Sequence, residues 1–163
     1  MTAVSRAAVG ALAGIAATAA MTLTMSLLFR HLTRRSHYPL PPRELIEAID
    51  PTKSVMTTER ARARATTLAH FGYGALTGAL FALSTTRSTP MRGAFYGLAV
   101  WGASYLGWIP AVGLLKPSTN HPTGRNVLML ASHLTWGLTL VAVLRQVQIA
   151  EEQAFAGDNA HDR

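Results

Sequence analysis

Two phrases repeat the same spacing of residue types: His70, Tyr73 and Gly74, then His133, Trp136 and Gly137. Each puts an imidazole in a stretch without charged side chains, with an aromatic three positions on and a glycine four positions on. In helical geometry that glycine clears space beside the ring one turn away. An ionisable group inside an apolar helix is a functional candidate by default. Imidazoles there can relay protons, bind a metal or ligate haem iron. They can also donate to a backbone carbonyl and fix a helix contact, which is the ordinary fate of a buried polar group. Tyr73, Thr77 and Asn126, with the loop residue His121, are the polar neighbours that could complete such a site.

What is missing narrows the chemistry. There is no Asp or Glu from residue 1 to 43 or from 60 to 150, so no intramembrane carboxylate is present to exchange a proton for a cation. A Ser, His and acid constellation lacks its acid, so an enzyme is not expected. There is no cysteine, which excludes disulfides, thiolate zinc sites and iron–sulfur clusters. The first reading is therefore a non-enzymatic bundle without a cofactor, acting through packing, homo-oligomerisation or association with another membrane protein. The alternative is a proton or small-solute carrier using His70 and His133. A second alternative is a bis-histidine haem b or metal protein.

These residues need helices to hold them. Only 14% of the chain is charged and 49% is hydrophobic, against roughly 25% charged for ordinary soluble domains. Uncharged runs at 7–29, 66–83, 93–115 and 127–144 predict four membrane-spanning helices, since about 20 helical residues cross a bilayer. The expected class is all-α: two successive helical hairpins in one domain, 1–150, followed by a disordered polar tail, 151–163. The net charge of +7 gathers at the ends of the apolar runs. That placement suits lipid headgroups and argues against nucleic acid. Most of the bases fall in the first and third connecting segments, 30–65 and 116–126, which predicts both termini outside the cytoplasm.

Within the polar connection 30–65, Pro41 and Pro42 preset a short amphipathic helix carrying Leu45, Ile46 and Ile49. Thr57 or Thr58 before Glu59 marks the next helix start. Gly10 with Gly14, Gly74 with Gly78, and Gly93 with Gly97 read as close-packing surfaces. Gly102 and Gly107 on the third span, and Gly137 on the fourth, read the same way. Trp101, Tyr105 and Trp108 share the opposite face of the third span, and Pro110 predicts a kink.

Two phrases resemble a known family. Tyr38, Pro39, Leu40, Pro41, Pro42 and Arg43 follow the first span, and Ser132, His133, Leu134, Thr135 and Trp136 lie in a last span ending at Arg145. Together they resemble the YagU-like bacterial inner-membrane proteins. The resemblance implies a multi-pass protein of a bacterial inner membrane and no established reaction. The chain departs from that family in a shorter polar connection after the first span and in lacking cysteines there.

Overall fold

The computed structural model describes residues 2–32, 39–85 and 87–161, with side chains through 153. Helices and turns make up all of the regular structure among these residues. Helix α1 (Ala3–Phe29) starts where the Thr2 hydroxyl accepts from the Ser5 amide. Helix α2 (Pro41–Ile49) begins on the proline pair, which gives up no amide that a first helical turn would use. Helix α3 (Glu59–Ser84) is capped by Thr58, whose Oγ1 accepts from the Ala61 amide at 3.1 Å, with Glu59 in the first turn. Helix α4 (Pro90–Gly102) has the Thr89 cap and Pro90 at its start.

At Gly102 the third long segment changes register. A π turn runs from Ala103 to Trp108, with Gly107 at φ −108° and ψ −110°, before the short helix α5 (Ile109–Ala111). Pro110 has no N–H, and its ring crowds the carbonyl four residues back. The backbone accommodates this by shifting upstream, so that the Ile109 amide donates to the Ser104 carbonyl. The bend expected at Pro110 thus takes the form of a π turn over 103–108, and helical structure ends at Ala111 rather than reaching residue 115. A 3-10 turn (Ser118–Asn120) leads to α6 (Thr123–His161). Helix α6 continues past the expected end of the fourth span at residue 144 and on through Arg145.

Helix α1 packs against both α3 and α6, and α6 also packs against α4. Glycine explains the closest approaches. A Cβ on Gly14 would strike the Gly74 backbone, and one on Gly78 would strike Gly10 and Gly14. The α4–α6 seam is built likewise, with Gly93 and Gly97 against Gly137 and the His133 carbonyl. Gly102 and Gly107 differ from expectation. Nothing lies within 4 Å of a Cβ on Gly102, and one on Gly107 would meet only the Gly102 carbonyl oxygen, at 3.9 Å. Between α3 and α4 the contacts are aromatic and polar: Phe81 and Tyr96 ring centroids lie 4.9 Å apart, and Tyr96 Oη donates to the Thr77 carbonyl at 2.8 Å.

Two helices are long and apolar enough to cross a membrane by length and composition, Ala3–Phe29 and Thr123–Gln153. Helix α3 carries Arg60, Arg62 and Arg64 in its first turns, and α4 ends after 13 residues.

A histidine-lined cavity under a short helix

The half of the bundle nearer α2 is hollow. A cavity of about 280 Å³ is lined by residues of α1, α2, α3, α4, the π turn, α5 and α6. Its walls include Met21, Met25 and Met129, with Trp108, Trp136 and Ile109. Among the described residues no carboxylate, lysine or arginine lines it.

His70 and His133 both line this space, together with Tyr73 and Thr77. Their common depth follows from helix direction, since α3 and α6 each start at the α2 end and present a histidine at a similar distance from it. His133 is 6% exposed, and its Nδ1 lies 2.8 Å from the Met129 carbonyl one turn back. A carbonyl only accepts, so Nδ1 carries the hydrogen and Nε2 of the neutral ring is an acceptor. The His70 Nε2 is buried and has no hydrogen-bond partner among the described residues. The two rings therefore differ: one is anchored to its own helix and one is polar with nothing to bond.

Several other polar groups at the walls bond one another or the backbone, and Tyr105, whose ring centroid lies 6.3 Å from that of His133, lines the space as well. Tyr73 Oη and Ser104 Oγ are 2.9 Å apart, which ties α3 to the π turn. Trp136 Nε1 donates to Thr18 Oγ1 at 3.1 Å, and Thr18 donates in turn to the Gly14 carbonyl at 2.8 Å. Thr77 Oγ1 donates to the Tyr73 carbonyl at 2.8 Å.

Two residues expected with this group lie elsewhere. His121 sits in the loop with its Nε2 3.2 Å from the Lys116 carbonyl oxygen, and Asn126 donates to the Ser118 carbonyl at 2.8 Å. Neither lines the cavity, so a relay from His121 through His133 to His70 is not assembled. No group of three or more His, Cys, Asp or Glu side chains that could hold a metal occurs among the described residues.

Sequence reasoning missed the wall that α2 provides. Pro41, Pro42 and Leu45 line the cavity, and Leu40 packs against the cluster of Met25, Leu128 and Met129. Ion pairs fasten this short helix. Arg125, 3% exposed, donates to the Pro39 carbonyl at 3.0 Å and to the Glu44 carboxylate, tying α2 to the start of α6. Arg43 donates to Glu47 at 2.6 Å and to both oxygens of Glu59, at 2.7 and 2.8 Å, tying α2 to the start of α3. The bonds to Arg43 hold the Glu59 carboxyl below its ordinary range. The following loop folds on Asp50, whose carboxylate accepts from the amides of Ser54, Val55 and Met56. Those bonds, led by that from Met56, hold the Asp50 carboxyl below its ordinary range as well.

The two family-like phrases meet at this site. Pro41 and Pro42 from the first, and His133 and Trp136 from the second, line the same cavity, while Pro39 and Arg43 anchor α2. Tyr38 lies outside the described residues. Comparison with known proteins finds no family model, no curated protein and no solved structure that matches the chain.

Proposed function

We propose that this chain is a four-span integral protein of a bacterial inner membrane that binds or carries a small neutral molecule in the cavity between α3 and α6. It is not an enzyme in this reading. The observation that carries the proposal is the cavity wall: two histidines, one with a buried nitrogen unpaired among the described residues, in a lining of apolar side chains and a few hydroxyls. Ligand sites are commonly apolar clefts of roughly 300 to 1,000 Å³ with a few placed polar groups. This cavity lies near the lower end of that range, which suits a small ligand.

The membrane reading is supported by the distribution of side chains. Helix α3 exposes Leu68, Leu76, Leu80 and Leu83, while it buries Gly74, Thr77 and Gly78. Met91 and Phe95 of α4 and Leu106 of the π turn are exposed too, at 71%, 67% and 52%. In water such a pattern would be inverted, whereas in lipid the outward face is the apolar one and small or polar residues fill the inside. The resemblance to YagU-like proteins adds the inner membrane and bacterial origin.

Two experiments test these parts separately. The chain has no cysteine, so single cysteines at Leu76, Phe95, Thr52 and Ser88 can be probed with a membrane-impermeant maleimide. Labelling at 52 and 88 from opposite sides, with protection at 76 and 95, is expected; free labelling at 76 and 95 refutes four spans. For the cavity, methyl-labelled methionine in lipid nanodiscs is titrated with toluene. Saturable shifts at Met21, Met25 and Met129, with only linear partition effects at the exposed Met91, are expected. Uniform linear behaviour at all four methyls refutes a binding cavity.

A further inference from the structure

We infer that the cavity selects ligands bearing a hydroxyl group, small apolar alcohols or phenols, because of the tautomer imposed on His133. The inference rests on the binding cavity proposed above and adds the chemical class of its occupant.

The argument begins at the Met129 carbonyl. It lies 2.8 Å from His133 Nδ1 and can only accept, so the hydrogen of the neutral imidazole sits on Nδ1. His133 Nε2 then presents a lone pair. A ligand that satisfies it must donate. His70 Nε2 is buried without a partner among the described residues, so no bond at that nitrogen dictates its tautomer. It can therefore give a hydrogen to the same ligand or take one from it. Of the hydroxyls at the walls, Tyr73 is engaged with Ser104 and Thr77 with the Tyr73 carbonyl, while the Tyr105 ring stands edge-on to His133. The His133 lone pair still demands a donor from whatever occupies the space.

Ligand classes can be eliminated against that demand. A carboxylate or an ammonium group would be buried without a counter-ion, since no acidic, lysine or arginine side chain among the described residues lines the space, and an unpaired buried charge is strongly unfavourable. A ketone, ester or ether accepts only, which leaves the His133 lone pair unmet. A pure hydrocarbon leaves both imidazoles unmet, at a cost of about 1 to 3 kcal/mol for each unsatisfied group. A hydroxyl is neutral, donates once and accepts. The rest of the wall suits the apolar body of such a molecule. Met21, Met25 and Met129 adapt to irregular shapes and contact aromatic rings favourably, and Trp108 and Trp136 offer ring faces and edges.

The test compares phenol with toluene, which has nearly the same shape and no hydroxyl. The protein is placed in lipid nanodiscs with 15N-labelled histidine and methyl-labelled methionine, and lipid partition is measured on empty nanodiscs. Before any ligand, the His133 nitrogen shifts should report hydrogen on Nδ1; hydrogen on Nε2 overturns the inference without any variant. Phenol should then shift the His133 Nε2 resonance saturably and bind about twofold to tenfold more tightly than toluene, the margin that one net hydrogen bond provides. In His133→Phe that ratio should fall toward one while toluene still perturbs the Met25 methyl. Equal affinity for the two probes in the unmodified protein overturns hydroxyl selection and leaves the binding cavity standing. Absence of saturable binding by either probe overturns both.

Discussion

The two halves of the bundle are built on opposite principles. Toward the chain termini, Gly10, Gly14, Gly74 and Gly78 bring α1 and α3 into backbone contact, and Gly93, Gly97 and Gly137 do so for α4 and α6. Toward α2, the same helices present Met21, Met25, His70, Met129 and His133, and a cavity opens between them. Thr18, Gly74, Thr77 and Trp136 form the border where the packed half gives way to the hollow one. Cohesion without a strong hydrophobic drive between helices depends on such close packing. The hollow half has none to spare, so it is closed instead by a separate short helix held through charge. The difference teaches that stability and site are divided lengthwise along the same helices.

That division can be broken most severely in the packed half. Gly14→Leu or Gly137→Leu places a side chain against facing backbone, and overpacking of this kind costs about 1 to 3 kcal/mol or more. Thermal unfolding in nanodiscs should show a large fall in Tm or failure to accumulate folded protein. Gly102→Ala is the contrast: it faces open space in helical backbone and should leave Tm unchanged or slightly raised.

In the capped half, Arg125→Ala leaves the Glu44 carboxylate and the Pro39 carbonyl without this donor. Breaking a buried pair costs up to about 3 kcal/mol, and the loss should appear as rapid proteolysis within 39–58 while the glycine-packed helices stay protected. Arg43→Ala, whose partner Glu59 is 71% exposed, should do much less. At the border, Thr18→Val leaves the buried Trp136 Nε1 without its acceptor, at about 1 to 3 kcal/mol. A changed tryptophan emission should accompany it, and an unchanged spectrum would count against that bond.

The smallest effect is one of pH. The Asp50 carboxyl is held low in the folded loop by backbone amides, led by that of Met56. A depressed value means stabilisation present above the unfolded-chain pKa of about 3.9 and lost as pH falls through the folded one. Protease sensitivity of 51–56 should therefore be flat from pH 8 to pH 5 and rise only in stronger acid. Asp50→Asn should show the raised sensitivity at every pH.

Much of this architecture was legible in the sequence because its causes are local. Uncharged stretches mark the long helices, Thr58 and Glu59 mark the start of α3, and Pro41 with Pro42 mark α2. Helix direction alone places His70 and His133 at one depth. The rest depends on what local patterns do not carry. A wheel of 100° per residue serves α4 but fails after Ala103, where a π turn holds more residues per turn, so Gly107, grouped by that wheel with the packing glycines, meets only the Gly102 carbonyl oxygen; Gly102, at the end of α4, faces open space. The docking of α2 relies on Arg125 and Glu44, 81 positions apart. His121 and Asn126 were grouped with the site by type and proximity in sequence, yet the backbone carbonyls of Lys116 and Ser118 claim them.

The bonds from Trp136 to Thr18 and from Arg125 to Pro39 join the last helix to the first third of the chain. During synthesis α1 and α3 can meet through their glycines long before residue 123 is made. The cavity acquires its fourth wall and the fastening of its lid only when α6 enters. A chain stopped before Thr123 would thus retain a helical hairpin without the enclosed space, and the cavity is the last part of the molecule to come into being.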